Sequence, residues 1–396
     1  MSDFTGKWFT TFGSMELQQA GDRIRGTYEP VQGVSCGIEG EVRGGVLDFH
    51  YQEPDARGTG SFRPDRQGKF SGRWRAAGTG HTGFWHGHRG FDGVWDTTCG
   101  PLRLIHEAGR ILGFYEIDGD EATLEGSVTT STGATRVIPS SRGGVDRRFV
   151  FRFQERKCAG EGWFELDEGE RSFRGKWRPA GSRSWQSWVG HRVVPIPDLQ
   201  WLVVFEAHWQ QLLQEKDYSL GGMLREFFAR ASHVEVRHRF FASETDLATW
   251  CREILYLPEP VVLVVATHGT PDGIQGHRGV IGPDAVVQGL RHADNVEVLH
   301  FSACYIEDGA TGGPPASLRR GLPFPISGYA AYVDWTASAL VDFTYLDMIL
   351  EHYLSPEESA SRVKQLLTFA GDRASRESPF PATRFRFWPA GNGKGP

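Results

Sequence analysis

Cysteine is scarce in this 396-residue chain. There are five, at 36, 99, 158, 251 and 304, an odd number, widely scattered and with no CxxC pair. That argues against a disulfide framework, a structural zinc site and a dithiol redox domain. No stretch approaches the ~18 apolar residues of a membrane span, so no membrane partner is expected. The opening MSDFTGKW lacks the apolar core of a secretory signal, and a cytoplasmic location is the expectation. Net charge is −6 with acidic and basic residues interspersed, and no basic run marks a nucleic-acid partner. There is no GxGxxG, no P-loop and no G-x-S-x-G elbow, so no cofactor is implied and a serine-type elbow is absent.

What the chain does have is glycine, 50 residues concentrated in the first half, together with 13 Trp and 26 Phe. Glycine punctuating aromatic runs predicts turn-rich, all-β structure. After Pro195 the texture changes: Leu and Ala rise and long apolar runs appear. The segment VVPIPD (193–198) reads as a linker, and the length suits two or three domains.

The first half repeats itself. Trp8–Tyr28 aligns without gaps to Trp95–Tyr115, pairing Gly13 with Gly100, Leu17 with Leu104 and Ile24 with Ile111. FHYQE (49–53) matches FRFQE (151–155), FSGRW (70–74) matches FRGKW (173–177), and WHGHR (85–89) matches WVGHR (188–192). The second copy carries an insertion near 120–145 that reads as a surface loop. VLDFHYQE and RRFVFRFQE alternate with period two, so each copy predicts six to eight short strands in a small closed antiparallel barrel, over 1–89 and 90–194. The repeated Trp residues read as plugs and the glycines as turn formers. His81, His86 and His88 suggest a metal site, but the second copy keeps only His191, opposite His88, so no metal is expected. The opening of each copy, with Gly6-x-Trp8 and Gly93-x-Trp95, resembles the first hairpin of avidin-like and lipocalin-like barrels. That resemblance speaks to fold and names no ligand.

From 199 to 396 strands and helices alternate. Strands are predicted at 199–207, 234–242, 260–269, 295–305 and 324–333. Helices are predicted at 219–231, 244–257 (capped by Ser243), 285–293, 337–353 and 355–374. This pattern predicts a three-layer α/β domain. Two apolar strands end in chemistry: PVVLVVATHG in Thr267-His268-Gly269, and NVEVLHFSACY in Ser302-Ala303-Cys304. In parallel α/β sheets function gathers beyond the carboxyl ends of strands. Adjacent strands would place His268 beside Cys304, where an imidazole can act as base for a thiol nucleophile. The amides of Gly269 and Cys304 would then form an oxyanion hole. Cys251, on an amphipathic helix, and Cys36, Cys99 and Cys158, in the barrels, lack such a setting. His277 and His292 have none either, and His300, inside the nucleophile strand, reads as packing.

Strand-His-Gly followed by strand-x-Ala-Cys resembles the caspase-like (clan CD) cysteine proteases, which include caspases, metacaspases, separase, gingipains and the bacterial CHAT proteases. The resemblance runs from about 199 to 354 and takes in ISGYAAYVDW (326–335), similar to the strand whose end shapes the pocket for P1, the residue before the scissile bond. It implies a His268–Cys304 dyad, a protein substrate, and a substrate groove involving Ser302, Asp334, Trp335 and Asp272, with Glu307 and Asp308 nearby. Thr336 stands where caspases place a P1-binding arginine and Asp334 precedes Trp335, so a basic P1 residue is the expectation. The resemblance also implies a role in bacterial stress or phage defence, with the barrels serving regulation or a protein partner. Arg319-Arg320, in a stretch (307–321) of flexible composition, offers a self-cleavage site. The competing expectation is a catalytically inactive scaffold whose barrels bind a ligand or partner. A thiol hydrolase or redox domain is a third.

Overall fold

The structure is a computed structural model. It describes residues 3–391 apart from 32, 67, 80, 108, 130–147, 209–213, 215–217, 278 and 310. It divides into two compact units, Met1–Asp198 and Leu199–Pro396.

The first unit holds two closed antiparallel barrels. One is built from β1 (Gly6–Thr10), β2 (Gly13–Ala20), β3 (Arg23–Val31), β4 (Val34–Arg43), β5 (Val46–Gln52), β6 (Arg57–Arg66), β7 (Lys69–Ala76), β8 (Thr82–Phe84) and β9 (Gly87–His88). It closes through β9, which pairs with both β1 and β7, while β8 adjoins β7. The other is built from β10 (Gly93–Thr97), β11 (Gly100–Glu107), β12 (Arg110–Ile117), β13 (Asp120–Thr129), β14 (Arg148–Gln154), β15 (Ala159–Leu166), β16 (Ser172–Pro179) and β17 (Gln186–Arg192), closed by β10 against β17. The insertion expected from 120 begins later, because Asp120–Thr129 is strand β13, the counterpart of β4. What remains of it, 130–147, lies outside the described residues.

The repeat holds atom by atom. Trp8 Nε1 donates to Phe4 O at 2.8 Å and Trp95 Nε1 to Phe91 O at 3.0 Å. Trp85 Nε1 donates to Thr10 Oγ1 at 3.0 Å and Trp188 Nε1 to Thr97 Oγ1 at 2.8 Å. The Tyr28 hydroxyl donates to Glu53 and that of Tyr115 to Glu155, at 2.7 and 2.8 Å. Both interiors are filled with aromatic rings, such as the stacked pairs Phe62–Phe70 (4.2 Å) and Phe164–Phe173 (4.1 Å).

Glycine has a different task from the one expected. Several glycines sit inside strands, directly across from inward-facing Phe: Phe49 opposite Gly60, Phe62 opposite Gly72, Phe70 opposite Gly87, and in the second barrel Phe151 opposite Gly162, Phe164 opposite Gly175, Phe173 opposite Gly190. A Cβ at any of these six would overlap the ring it faces. The missing side chain is what lets each ring lie flat across its neighbour strand. Gly13 and Gly100 (φ +85° and +92°) do serve the tight turns expected of them.

The second unit is a six-stranded mixed sheet in the order β19-β18-β20-β24-β25-β26. Its strands are β18 (Gln200–Ala207), β19 (Val234–Phe241), β20 (Val261–Ala266), β24 (Val296–Ser302), β25 (Ile326–Tyr329) and β26 (Phe385–Trp388). All neighbours are parallel except β25 and β26. A small antiparallel sheet follows β20: β21 (Gly269–Thr270), β22 (Gly273–Gly276) and β23 (Gly279–Ile281). The helices are α1 (Leu220–Phe227), α2 (Glu244–Glu253), α3 (Pro283–Leu290), α4 (Ala316–Gly321), α5 (Trp335–Leu350) and α6 (Pro356–Leu366). Leu202, Val204, Val262, Val264 and Val298 of the sheet join Leu224, Val341, Leu346 and Val363 of α1, α5 and α6 in one buried cluster. The alternate positions Val203, Phe205, Leu263, Val265, Leu299 and Phe301 are buried as well. Among the described residues no helix is long and apolar enough to cross a membrane.

Three local expectations need correction. The strand expected at 324–333 stops at Tyr329, because the chain then turns so that Asp334 caps α5, its Oδ1 accepting from the amides of Thr336 and Ala337. The helix expected to reach 374 ends at Leu366, where Leu367 turns extended (φ −106°, ψ 103°). The end of the segment 307–321 is helical: Arg319 and Arg320 lie on α4, anchored by buried Leu318.

Arg192 fastens the second barrel to the segment that enters it and lies against Phe9 of the first. It is almost fully buried, donates through Nε to Glu170 O (2.9 Å), through Nη1 to Asp92 O (2.6 Å) and through Nη2 to Gly90 O, and lies over the rings of Phe9 (4.4 Å) and Trp95 (4.3 Å). Burial pulls its pKa down to about 10, against the opposing pull of Glu170 and Asp92. Removing it strands the buried carbonyl of Asp92, at about 1–3 kcal/mol, and the part-buried carbonyls of Gly90 and Glu170 at less each. Arg192→Ala is therefore expected to lower unfolding stability by about 3 kcal/mol in urea titrations followed by Trp fluorescence, while exposed Arg25→Ala stays within about 0.5 kcal/mol. A loss below about 1 kcal/mol for Arg192→Ala contradicts this fastening role.

Candidate functional site

The strand order makes the carboxyl edge of the second sheet the place to look. From β18 the chain adds β19 on one side and then β20 and β24 on the other, so the order of strand addition reverses at the β18–β20 boundary, one strand from the β20–β24 tips that carry His268 and Cys304. Val262 to Ala266 pair one-to-one with Val298 to Ser302, so His268 and Cys304 each follow a paired residue by two positions on neighbouring strands. Thr267 N bonds to Ser302 O (3.2 Å), carrying the alignment one residue further.

His268 is exposed just past β20. Its carbonyl accepts from Gln275 N at 2.7 Å, so the β21–β22 hairpin folds back beneath it. Gly269 lies against the main chain of Cys304. A Cβ there would sit 2.9 Å from Cys304 N and would overlap the Cys304 carbonyl oxygen. The glycine after His268 is thus required by the closeness of the two strand ends.

Cys304 is half-buried, and its sulfur meets the Val333 amide: Val333 N lies 3.4 Å and Val333 O 3.8 Å from Sγ. Burial pushes the thiol pKa up, while the Val333 N–H pulls it back. Tyr305, immediately after, is held at φ +56°, a left-handed conformation strained for a side chain of its size. The strain is fixed by Ile306 N returning to Tyr329 O at 2.9 Å.

Trp335, the first residue of α5, is 45% exposed and meets the Tyr218 ring edge-on at 4.4 Å. Asp334 is half-buried and caps α5. Asp272 is exposed at the tip of the β21–β22 hairpin. Ser302 is buried, its Oγ donating to Asp342 Oδ2 at 2.6 Å. Glu307 is tied to Arg386 at 3.4 Å.

Two buried groups escaped the sequence reading. Asp342 receives Ser302 and Tyr329 hydroxyls and contacts His300 Nε2 at 2.8 Å. Its one signal is a carboxylate inside the apolar run SALVDFTYL. His300, taken as packing, is indeed buried, but as a hydrogen-bonded bridge from Asp342 to Ser327 Oγ (3.0 Å). Glu206, fully buried at the end of β18, accepts from Ser219 Oγ and the amides of Leu220 and Gly221 at the start of α1, with His238 Nε2 at 2.8 Å.

Among the described residues no group of three or more His, Cys, Asp or Glu is placed to hold a metal ion. His88, one of the barrel histidines, is partly buried against Asp92 (2.8 Å), and desolvation pulls its pKa down to about 4 despite that partner. In comparisons with known proteins, no protein family and no curated protein matches this chain.

Because the Cys304 thiol is pushed up, its thiolate fraction at neutral pH is small. Its alkylation rate with iodoacetamide, followed by peptide mass spectrometry, is expected to keep climbing beyond about pH 9. A plateau below about pH 8 contradicts this. Gly269→Ala is expected to shift the Cys304 loop and change that rate at least several-fold in a folded protein.

Proposed function

We propose that the chain is a cysteine endopeptidase of the caspase-like type, with His268 and Cys304 as its dyad and α2–α4 forming the third layer over the sheet face opposite α1, α5 and α6. The observation that carries the reading is the in-register pairing of β20 with β24, followed by a glycine that only a close approach of the two strand ends demands.

In this mechanism His268 takes the Cys304 proton as the sulfur attacks the substrate carbonyl carbon, forming the C–S bond. A thiol pushed up by burial favours proton removal during attack over a resting ion pair. The amides of Gly269 and Cys304 hold the oxyanion of the tetrahedral intermediate. Its collapse breaks the C–N bond, and the imidazolium gives its proton to the leaving amine. Water, deprotonated by His268, then hydrolyses the thioester and returns the thiol.

The groove is formed by Ser302 beneath, Asp334 and Trp335 alongside, and Asp272 at the rim. A basic P1 residue fits the carboxyl groups around it. Tyr218, edge-on to Trp335, has its hydroxyl pushed up chiefly by burial. The aromatic pair would take the alkyl stem of Arg or Lys. The barrels serve regulation or recognition of a protein partner in a cytoplasmic defence or stress role. Self-cleavage at Arg319-Arg320 would require α4 to unwind first.

The same raised thiol also supports the second reading, a catalytically inactive scaffold whose barrels do the binding. Fluorogenic peptides ending in Arg, Lys or Asp decide between them. Arg and Lys peptides are expected to be cleaved fastest, with Cys304→Ala and His268→Ala each losing at least about a hundredfold. Faster Asp cleavage removes the basic preference. Cleavage unchanged by Cys304→Ala removes the protease.

A further inference from the structure

A single buried carboxyl group ties together the two segments that meet at the Cys304 sulfur. Asp342 stands seven positions into α5, about two helical turns from its start. Oδ2 accepts from Ser302 Oγ at 2.6 Å, two residues before Cys304. Oδ1 accepts from the Tyr329 hydroxyl, four residues before Val333. His300 Nε2 lies 2.8 Å from Oδ1, and its Nδ1 lies 3.0 Å from Ser327 Oγ, so the carboxyl group is joined to β24 twice and to β25 through both Tyr329 and Ser327. All five side chains are buried.

Burying so many polar groups gains little stability over an apolar core of the same shape, whereas each broken partner leaves an orphan in low dielectric. What such a cluster does supply is one fixed arrangement. Here the arrangement is the separation between Cys304 and Val333, the sulfur–amide contact of 3.4 Å. An amide donor aimed at sulfur stabilises the thiolate over the thiol.

We propose that Asp342 is a positioning residue that holds the Val333 amide on the Cys304 sulfur and thereby sets the reactivity of that thiol. The proposal rests on the reading of Cys304 as the nucleophile, but its test needs no substrate.

The test is the second-order rate of Cys304 alkylation by iodoacetamide at one fixed pH, read by peptide mass spectrometry in the full chain, for wild type, Ser302→Ala, Tyr329→Phe, Asp342→Asn and Asp342→Ala. Buried Cys251 on α2 reports general loosening of the same unit, and half-buried Cys99 in the second barrel is the distant control. Ser302→Ala and Tyr329→Phe are expected to slow Cys304, and Asp342→Ala to slow it by about tenfold, the size of losing a hydrogen bond to a charged group. Asp342→Asn, which keeps an acceptor of the same shape, is expected to recover part of the rate, with Cys251 and Cys99 unmoved throughout. Should Asp342→Ala fail to fold, Ser302→Ala and Asp342→Asn carry the test. An unchanged Cys304 rate in those two folded variants overturns the proposal, as does a rise in Cys304 labelling in step with Cys251. A slowed Cys304 in a chain that cleaves no peptide removes the protease reading and leaves the positioning role standing.

Discussion

The parallel ladder that sets Ala266 beside Ser302 is the constraint on which the site depends. Once those residues are paired, two further residues along each strand bring the His268-Gly269 segment against the main chain of Cys304. The space between them is closed to any side chain, so Gly269 follows from the pairing. On the other side of the nucleophile, the chain leaving β25 does not continue the sheet. It bends to bring Val333 to the sulfur and Asp334 to the start of α5. Cys304 therefore lies between two segments held by different elements, and the buried Asp342 cluster joins the elements that hold them.

The barrels follow from an equally local constraint. Three inward Phe residues in each barrel face a strand glycine, and these pairings recur in both copies at equivalent positions. The rings then stack across the interior, filling it with apolar surface that is worth about 1.5–3 kcal/mol per fully buried side chain. Polar groups that the rings carry inward are met in a repeated way, Trp to backbone or Thr and Tyr to Glu. Arg192, at the junction of the copies, holds the entry of the second barrel and covers Phe9 of the first.

Much of this was legible in the residues. The duplicated Trp, Gly and Tyr positions announce two barrels, because the same inside-outside pattern must recur if the same core is built twice. His268 and Cys304 stand out because each ends a run of Val, Leu or Ala long enough to be a buried strand. Other features depend on partners distant in sequence. Asp342 is one acid in an apolar helix, and its role exists only through Ser302, His300 and Tyr329, 40, 42 and 13 residues away. β26 is a strand because Ile326–Tyr329 offers it an edge, which a four-residue segment cannot announce by itself. Composition reports the number of the strand glycines and not what stands opposite them, so it points to turns alone. The place of Asp334 before Trp335 suggests a groove residue; the helix beginning at that tryptophan also makes it a cap.

The central claim is that an imidazole and a thiol carried on adjacent strand tips act together. The most direct measurement is labelling of the intact chain with an arginyl acyloxymethyl ketone, mapped by peptide mass spectrometry in wild type and His268→Ala. The account predicts one adduct, on Cys304, formed in the wild type and lost in the variant. Adducts spread over Cys99 and Cys158, or Cys304 labelled equally well without His268, would contradict it.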